Sequence, residues 1–265
     1  MKNGTVVLKD GQMDYIRFGR GDRHLIMLPG LGESLRSVKG TALPMALMYR
    51  IFSEQFTVWM FSRKVPLIRG CTTRDLARDQ AEAMDALGIG KADVFGVSMG
   101  GMIAQWLAVD HPEKVGKLVL AVTASRPNPI LIESVEEWVA YAKRNDPVGF
   151  MDSNLRRIYS ENYYRKNKWM LPVVGPMTKP KSYDRFFIQA QACLCHDSFG
   201  YLSRIPAKTL VIGGEQDKAL GGDASRQIAS EIPGAKLHMY SRWGHGAYEE
   251  AKDFNGRVLE FLLEA

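Results

Sequence analysis

The chain has 265 residues, 46% of them hydrophobic and 24% charged, with a formal net charge of +6. Those proportions exclude a disordered chain, and the lack of any apolar run of about eighteen residues excludes a spanning helix. The positive charge is mild and too widely spread to be a nucleic-acid footprint by itself.

In chain order, Thr5 to Leu8 and Met13 to Phe18 read as two strands around Asp10-Gly11, a hairpin signal. His24 to Leu28 is a short apolar strand ending in the loop Pro29-Gly30-Leu31-Gly32. Phe56 to Phe61 is a further strand. Thr73 to Leu87 is helical, because Leu76, Ala83, Met84 and Leu87 share one face and Gly88 and Gly90 follow. Ala92 to Val97 is a strand, and Met99 to Asp110 a helix stopped by His111-Pro112, since a residue before proline leaves the helical region. Val115 to Val122 is the next strand. Strands alternating with helices imply a mostly parallel sheet covered on both faces, an α/β architecture.

The alternation breaks from Arg126 to Arg204, where the segments read as helical. Ser134 with Glu137 predicts a capping box ahead of Val135 and Trp138. Asp146-Pro147 starts a second helix and Ser182 a third, while Tyr163 to Lys181 is aromatic, basic and proline-containing, a loop or broken helix. The rhythm then returns with a strand at Thr209 to Ile212, a helix at Ala224 to Ile232, a strand at Lys236 to Tyr240 and a final helix at Glu249 to Leu263. The division is therefore a core of 1–125 and 205–265 with a helical lid of 126–204, set over the strand ends where such sheets bind ligands.

The three cysteines, Cys71, Cys193 and Cys195, make no disulfide framework. Cys193 and Cys195 are too close for a relaxed bridge, and no ligand set surrounds them for zinc. They read as reduced thiols, and Met1 to Thr5 lacks the apolar segment of a secretory leader, so a cytoplasmic protein is expected.

Chemistry concentrates at Gly96-Val97-Ser98-Met99-Gly100, between a strand and a helix. A serine hydroxyl is a weak nucleophile until it is held exposed beside a base. A sharp strand-to-helix turn holds it there, flanking glycines permit tight packing, and the helix N-terminus aims amides at the reacting oxygen. The base is expected to be His245, in the glycine-flanked loop Trp243-Gly244-His245-Gly246 after the last strand. His24, His111, His196 and His238 fall on strands, a helix end or the lid. The orienting acid is expected to be Asp217, in Gly214-Glu215-Gln216-Asp217 after a strand, with Glu215 and Asp223 as rivals. The preceding strand ends Ala121-Val122-Thr123-Ala124, without a carboxylate.

The order Ser98, Asp217, His245, the elbow around the serine and the late Gly-His resemble the α/β-hydrolase family over nearly the whole chain, with 126–204 matching its variable cap. The resemblance implies a serine esterase that works through an acyl-enzyme and requires no metal or organic cofactor. It also implies an oxyanion hole from the backbone amides of Met99 and Leu31. Many relatives carry His-Gly where this chain has Pro29-Gly30; the difference touches the loop's supporting hydrogen bonds, not the Leu31 amide. The expected substrate is a small-molecule carboxylic ester, with lactone, thioester, amide and carbon–carbon chemistry open to the same residues. Trp138, Trp169 and Phe187 are candidates for binding it, with Met48, Phe150 and Met177 behind them. Basic residues from Lys143 to Arg185 suggest an ester on an acidic carrier protein as a variant, against the plainer reading of solvated helix faces. A different class also fits the resemblance: a ligand receptor or stress regulator that keeps the triad and signals through a partner protein.

Overall fold

A computed structural model describes residues 1–264; residue 265, the last of the expected core, lies outside the described residues. Eight strands form one sheet: β1 (Lys2–Leu8), β2 (Gly11–Gly19), β3 (Arg23–Leu28), β4 (Phe56–Phe61), β5 (Ala92–Val97), β6 (Val115–Ala121), β7 (Lys208–Gly214) and β8 (Lys236–Tyr240). Their order is β1-β2-β4-β3-β5-β6-β7-β8. The first hairpin and the β2–β4 pair are antiparallel, and every later pairing is parallel.

Helices follow the strands: α1 (Ala42–Met48), α2 (Thr73–Ala86) and α3 (Met99–Asp110) before β6, then α4 (Pro129–Lys143), α5 (Pro147–Ile158), α6 (Glu161–Asn167), α7 (Leu171–Thr178) and α8 (Asp184–Leu194) between β6 and β7. The chain closes with α9 (Asp223–Glu231), α10 (Ala247–Glu250) and α11 (Phe254–Leu263). β4 and β5 are buried over their full length, because helices cover both faces of the sheet. Side chains alternate between those faces along each strand. On β5, Val94 joins Leu76 of α2 and Ile103 and Leu107 of α3, whereas Phe95 joins Phe254, Val258 and Phe261 of α11. Each such buried side chain contributes about 1.5–3 kcal/mol, so these contacts fix the two helical layers against the sheet.

Several expectations are corrected in detail. The helix expected around a Ser134 capping box begins earlier, with Pro129 as its first residue and the Asn128 carboxamide accepting from the Leu131 amide at 2.9 Å. Ser134 is instead buried inside α4 and donates to the Ile130 carbonyl. The final helix is interrupted, because Ala251 adopts an extended backbone between α10 and α11. Helix α1 has no counterpart among the expected elements. Among the described residues no helix is long and apolar enough to cross a membrane.

Candidate active site

The turn from β5 into α3 holds Ser98 at φ 54°, ψ −123°. That left-handed geometry is unfavourable for a residue with a side chain, by about 1–3 kcal/mol. The surroundings over-determine it. The Ser98 amide donates to the Ala121 carbonyl at 2.9 Å, and the Ser98 carbonyl accepts from the Gly101 amide at 2.8 Å and the Thr123 hydroxyl at 2.7 Å. The glycines are sterically required: a Cβ on Gly100 would overlap the Leu28 carbonyl oxygen, and one on Gly96 would lie 2.5 Å from the Gly100 carbonyl oxygen.

His245 and Asp217 arrive on loops that follow β8 and β7, neighbours in the sheet. The two loops are joined by backbone bonds, Gln216 amide to Trp243 carbonyl at 3.2 Å and Glu215 amide to Tyr240 carbonyl at 3.0 Å. His245 Nδ1 lies 2.8 Å from Asp217 Oδ2, and both side chains are about 95% buried (5% and 4% exposed). Asp217 Oδ1 accepts from the Ala219 and Leu220 amides, each at 2.8 Å, so the carboxylate is fixed at both oxygens. With Nδ1 committed to the acid, Nε2 is the nitrogen left for a hydroxyl. Ser98 and His245 line the same cavity, with no direct hydrogen bond between them; such contacts commonly tighten only when substrate binds. The rival carboxylates sit apart from the imidazole: Glu215 is ion-paired with Arg226, and Asp223 opens α9. The other histidines are engaged elsewhere. His24 Nδ1 accepts from the Trp59 indole, His238 packs edge-on to Tyr240, and His111 faces Glu113. His196 is buried against the Thr73 hydroxyl at 2.7 Å, and burial pushes it down to about 3.

The loop after β3 runs beside the serine, since a Cβ on Gly30 would lie 3.2 Å from Ser98 Cβ and 3.7 Å from Oγ. Leu31 and Met99 are each the first residue of a helical turn, and neither amide has another protein acceptor among the described residues. Arg63, fully buried just past β4, supplies the support that the Pro29-Gly30 sequence left open. Its Nη2 donates to the Pro29 carbonyl at 2.6 Å. Burial pulls this guanidinium below its ordinary value, and the nearby Glu33 carboxylate opposes the shift. Glu33 in turn accepts from the Arg63 amide at 3.3 Å, from Arg185 Nη2 at 2.6 Å and from the Gln189 carboxamide at 3.1 Å. Arg185 and Gln189 belong to α8, so this buried network ties the helical insertion to the loop beside Ser98.

The cavity has a volume of about 310 Å³, within the range of small-molecule sites. Of the expected binding residues it takes Trp138, together with Met48 and Phe150. Trp169 is corrected: it lies on the turn between α6 and α7 and is 74% exposed, pointing away from the core. Phe187 is corrected as well, because it packs on Tyr183 and Phe186 behind the cavity wall and only Phe186 lines it. Met177 is 79% exposed. Sequence reasoning missed Tyr49, Asn154, Tyr248 and Glu249, all on the cavity wall. Tyr248 and Glu249 stand three and four residues after His245, and that proximity was the available signal. Of the basic insertion residues, Arg156, Arg157, Arg165 and Arg185 are ion-paired with neighbouring carboxylates, which weakens the electrostatic match to an acidic carrier protein.

Similarity to known proteins agrees with this architecture. The chain is 29% identical to a 2-hydroxy-6-oxononadienedioate/2-hydroxy-6-oxononatrienedioate hydrolase of Burkholderia vietnamiensis, over 97% of this chain and 93% of that protein. It is 32% identical to a 2-hydroxy-6-oxo-6-phenylhexa-2,4-dienoate hydrolase of Burkholderia cepacia, over 70% and 68% of the two chains. Among solved structures, the enol-lactonase of Burkholderia xenovorans LB400 superposes with a TM-score of 0.82 at 22% identity, covering 98% of this chain and 100% of that one. The profile of the alpha/beta hydrolase fold matches residues 23–252. With its relatives hydrolases and its sheet, insertion and strand-end loops arranged as described, the chain belongs to the alpha/beta hydrolase fold family.

Proposed function

We propose that the protein is a serine hydrolase of carboxylic esters, with Ser98 as nucleophile, His245 as general base and Asp217 as the acid that orients it. The observation that carries this reading is the 2.8 Å Asp217–His245 contact on the same cavity as a serine held at positive φ. In the first step Ser98 Oγ attacks the carbonyl carbon while its proton passes to His245 Nε2. The imidazolium then protonates the leaving alcohol, and the carbon–oxygen bond to it breaks, leaving an acyl-serine. Water repeats the sequence, its proton passing through His245 back to Ser98, and the free acid leaves. The unengaged amides of Leu31 and Met99 are suited to stabilise each oxyanion, one such donor being worth roughly 100- to 1000-fold in rate. Residues 126–204 act as the cap over a core of 1–125 and 205–265, closing the cavity with Trp138, Phe150 and Phe186.

Relatives named as hydrolases of 2-hydroxy-6-oxodienoates and a structural neighbour named as an enol-lactonase support a second reading, in which the same residues act on a lactone or a carbon–carbon bond. The experiment is turnover of nitrophenyl butyrate by the wild type and by Ser98→Ala. The ester reading expects multiple turnovers in the first and a loss of at least about 10,000-fold in the second, with an unchanged far-UV spectrum. Turnover by the variant at the wild-type rate contradicts it. A single turnover in the wild type followed by rearrangement of 126–204 moves the assignment to a ligand receptor.

A further inference from the structure

The cavity is lined by two carboxylates and, among the described residues, by no Lys or Arg. The two carboxylates differ in what surrounds them. Glu33 is 5% exposed and its charge is paired by Arg185 at 2.6 Å, with the Gln189 carboxamide on its other oxygen. Glu249 is exposed and makes no ion pair among the described residues. Its Oε2 accepts instead from the neutral Tyr159 hydroxyl at 2.6 Å. Around it stand Tyr49 and Tyr248, both on the cavity wall, and Tyr163 stacked on Tyr159 at 4.2 Å. The negative charge at this end of the cavity is therefore uncompensated.

On the reading of the site as a serine hydrolase, we infer that the cavity takes an uncharged, largely apolar ester and rejects substrates whose acyl chain ends in a carboxylate, with Glu249 as the selecting residue. Two like charges repel, and more strongly where apolar walls displace part of the solvent than in open water. The Arg63 guanidinium does not line the cavity; its Nη2 donates to the Pro29 carbonyl and its charge faces the nearby Glu33 carboxylate. A carboxylate entering beside Glu249 finds no Lys or Arg among the residues lining the cavity, and it loses its hydration shell without a charged replacement. The remaining wall, Met27, Met45, Met60, Phe95 and Ile158 among others, suits an alkyl chain and can adapt to its shape.

The test compares ligands of equal length that differ in one charge. Binding of hexanamide and of adipic acid monoamide, followed by calorimetry on the wild-type protein, needs no chemistry and reads the cavity directly. Turnover of nitrophenyl butyrate and of nitrophenyl hemisuccinate then reads the same selection in kcat/KM. The inference expects the carboxylate ligand to bind at least about tenfold more weakly and its ester to react at least about tenfold more slowly. In Glu249→Gln the ratio of anionic to neutral ester kcat/KM should rise about fivefold. Added salt should raise the same ratio in the wild type, a measurement that holds even if the variant folds poorly. Equal or tighter binding of the carboxylate ligand overturns the inference whatever the reaction proves to be. Failure of the neutral ester to turn over, with the binding difference intact, overturns the esterase reading and leaves the charge selection standing.

Discussion

The sheet edge that carries Ser98, Asp217 and His245 and the helical insertion that covers it are built by different rules. On the sheet side, every residue of interest sits within a few positions of a strand end, and its geometry follows from local requirements. Gly96 and Gly100 permit the bend, and the β7 and β8 loops lie side by side because their strands do. On the insertion side, position depends on partners distant in sequence. Arg185 reaches the site through Glu33, 152 residues earlier, and the Gly246 amide is held by the Ile158 carbonyl at 2.6 Å. On the proposed reading the first region carries the reaction, while the second contributes Trp138, Phe150 and Phe186 to the wall that meets the substrate.

That contrast explains what was legible in the sequence. β4, β5, β8 and α3 begin and end where the apolar runs and glycine or proline stops place them. The expected base and acid meet on the loops after the adjacent strands β8 and β7, and the expected nucleophile, after β5 and with β6 between it and β7, lines the same cavity as the base, because alternation of strand and helix fixes which chain ends lie along one sheet edge. Trp169 and Phe187 were misassigned for the opposite reason. Helical periodicity reports that a face is apolar but not which neighbour covers it, and α7 leaves Val173 and Met177 open to solvent. Glu249 and Glu33 escaped notice because an isolated glutamate carries no pattern. Arg63 escaped because its role exists only through the Pro29 carbonyl, 34 residues away.

If the sheet side defines the chemistry, its residues should govern kcat, and the largest effect after Ser98 belongs to Asp217→Asn. Its carboxamide oxygen would stay with the Ala219 and Leu220 amides and turn its NH2 toward His245 Nδ1, forcing the proton onto Nε2. A loss of about 1,000- to 10,000-fold in kcat is expected, measured as ester turnover at saturating substrate with the fold checked by circular dichroism.

Arg63→Met probes the junction of the two regions. Releasing the Pro29 carbonyl should lower kcat by about 10- to 100-fold with little change in KM, while Glu33 keeps its Arg185 partner, so the stability loss should stay at about 1–3 kcal/mol, that of one buried carbonyl left unpaired. Arg63→Lys should recover part of kcat. A rise in KM with kcat intact would assign Arg63 to substrate binding instead.

Within the insertion, Trp138→Ala and Trp169→Ala should separate wall from surface. Removing the buried indole takes about 150–250 Å² of contact from the cavity and should raise KM about tenfold. The exposed indole should change neither KM nor kcat by more than about twofold. Equal effects would mean that α6 and α7 close over the substrate.

The smallest effect is on stability and concerns His196, which lies just after α8. Its folded-state value of about 3 is below the unfolded 6.5, so the unfolded chain binds the extra proton between those limits. Stability is full above that window and falls as pH drops through it, by about 1.4 kcal/mol per pH unit for one proton. Urea unfolding of His196→Asn at about pH 7 and about pH 5 should show a flatter dependence than the wild type.

The most direct measurement is covalent capture. A fluorophosphonate probe incubated with the wild type, followed by peptide mass mapping, should label the peptide containing Ser98 stoichiometrically, and labelling should be lost in Ser98→Ala and slowed severely in His245→Ala. Labelling at another serine, or undiminished labelling of Ser98 without the imidazole, would contradict the proposed proton relay.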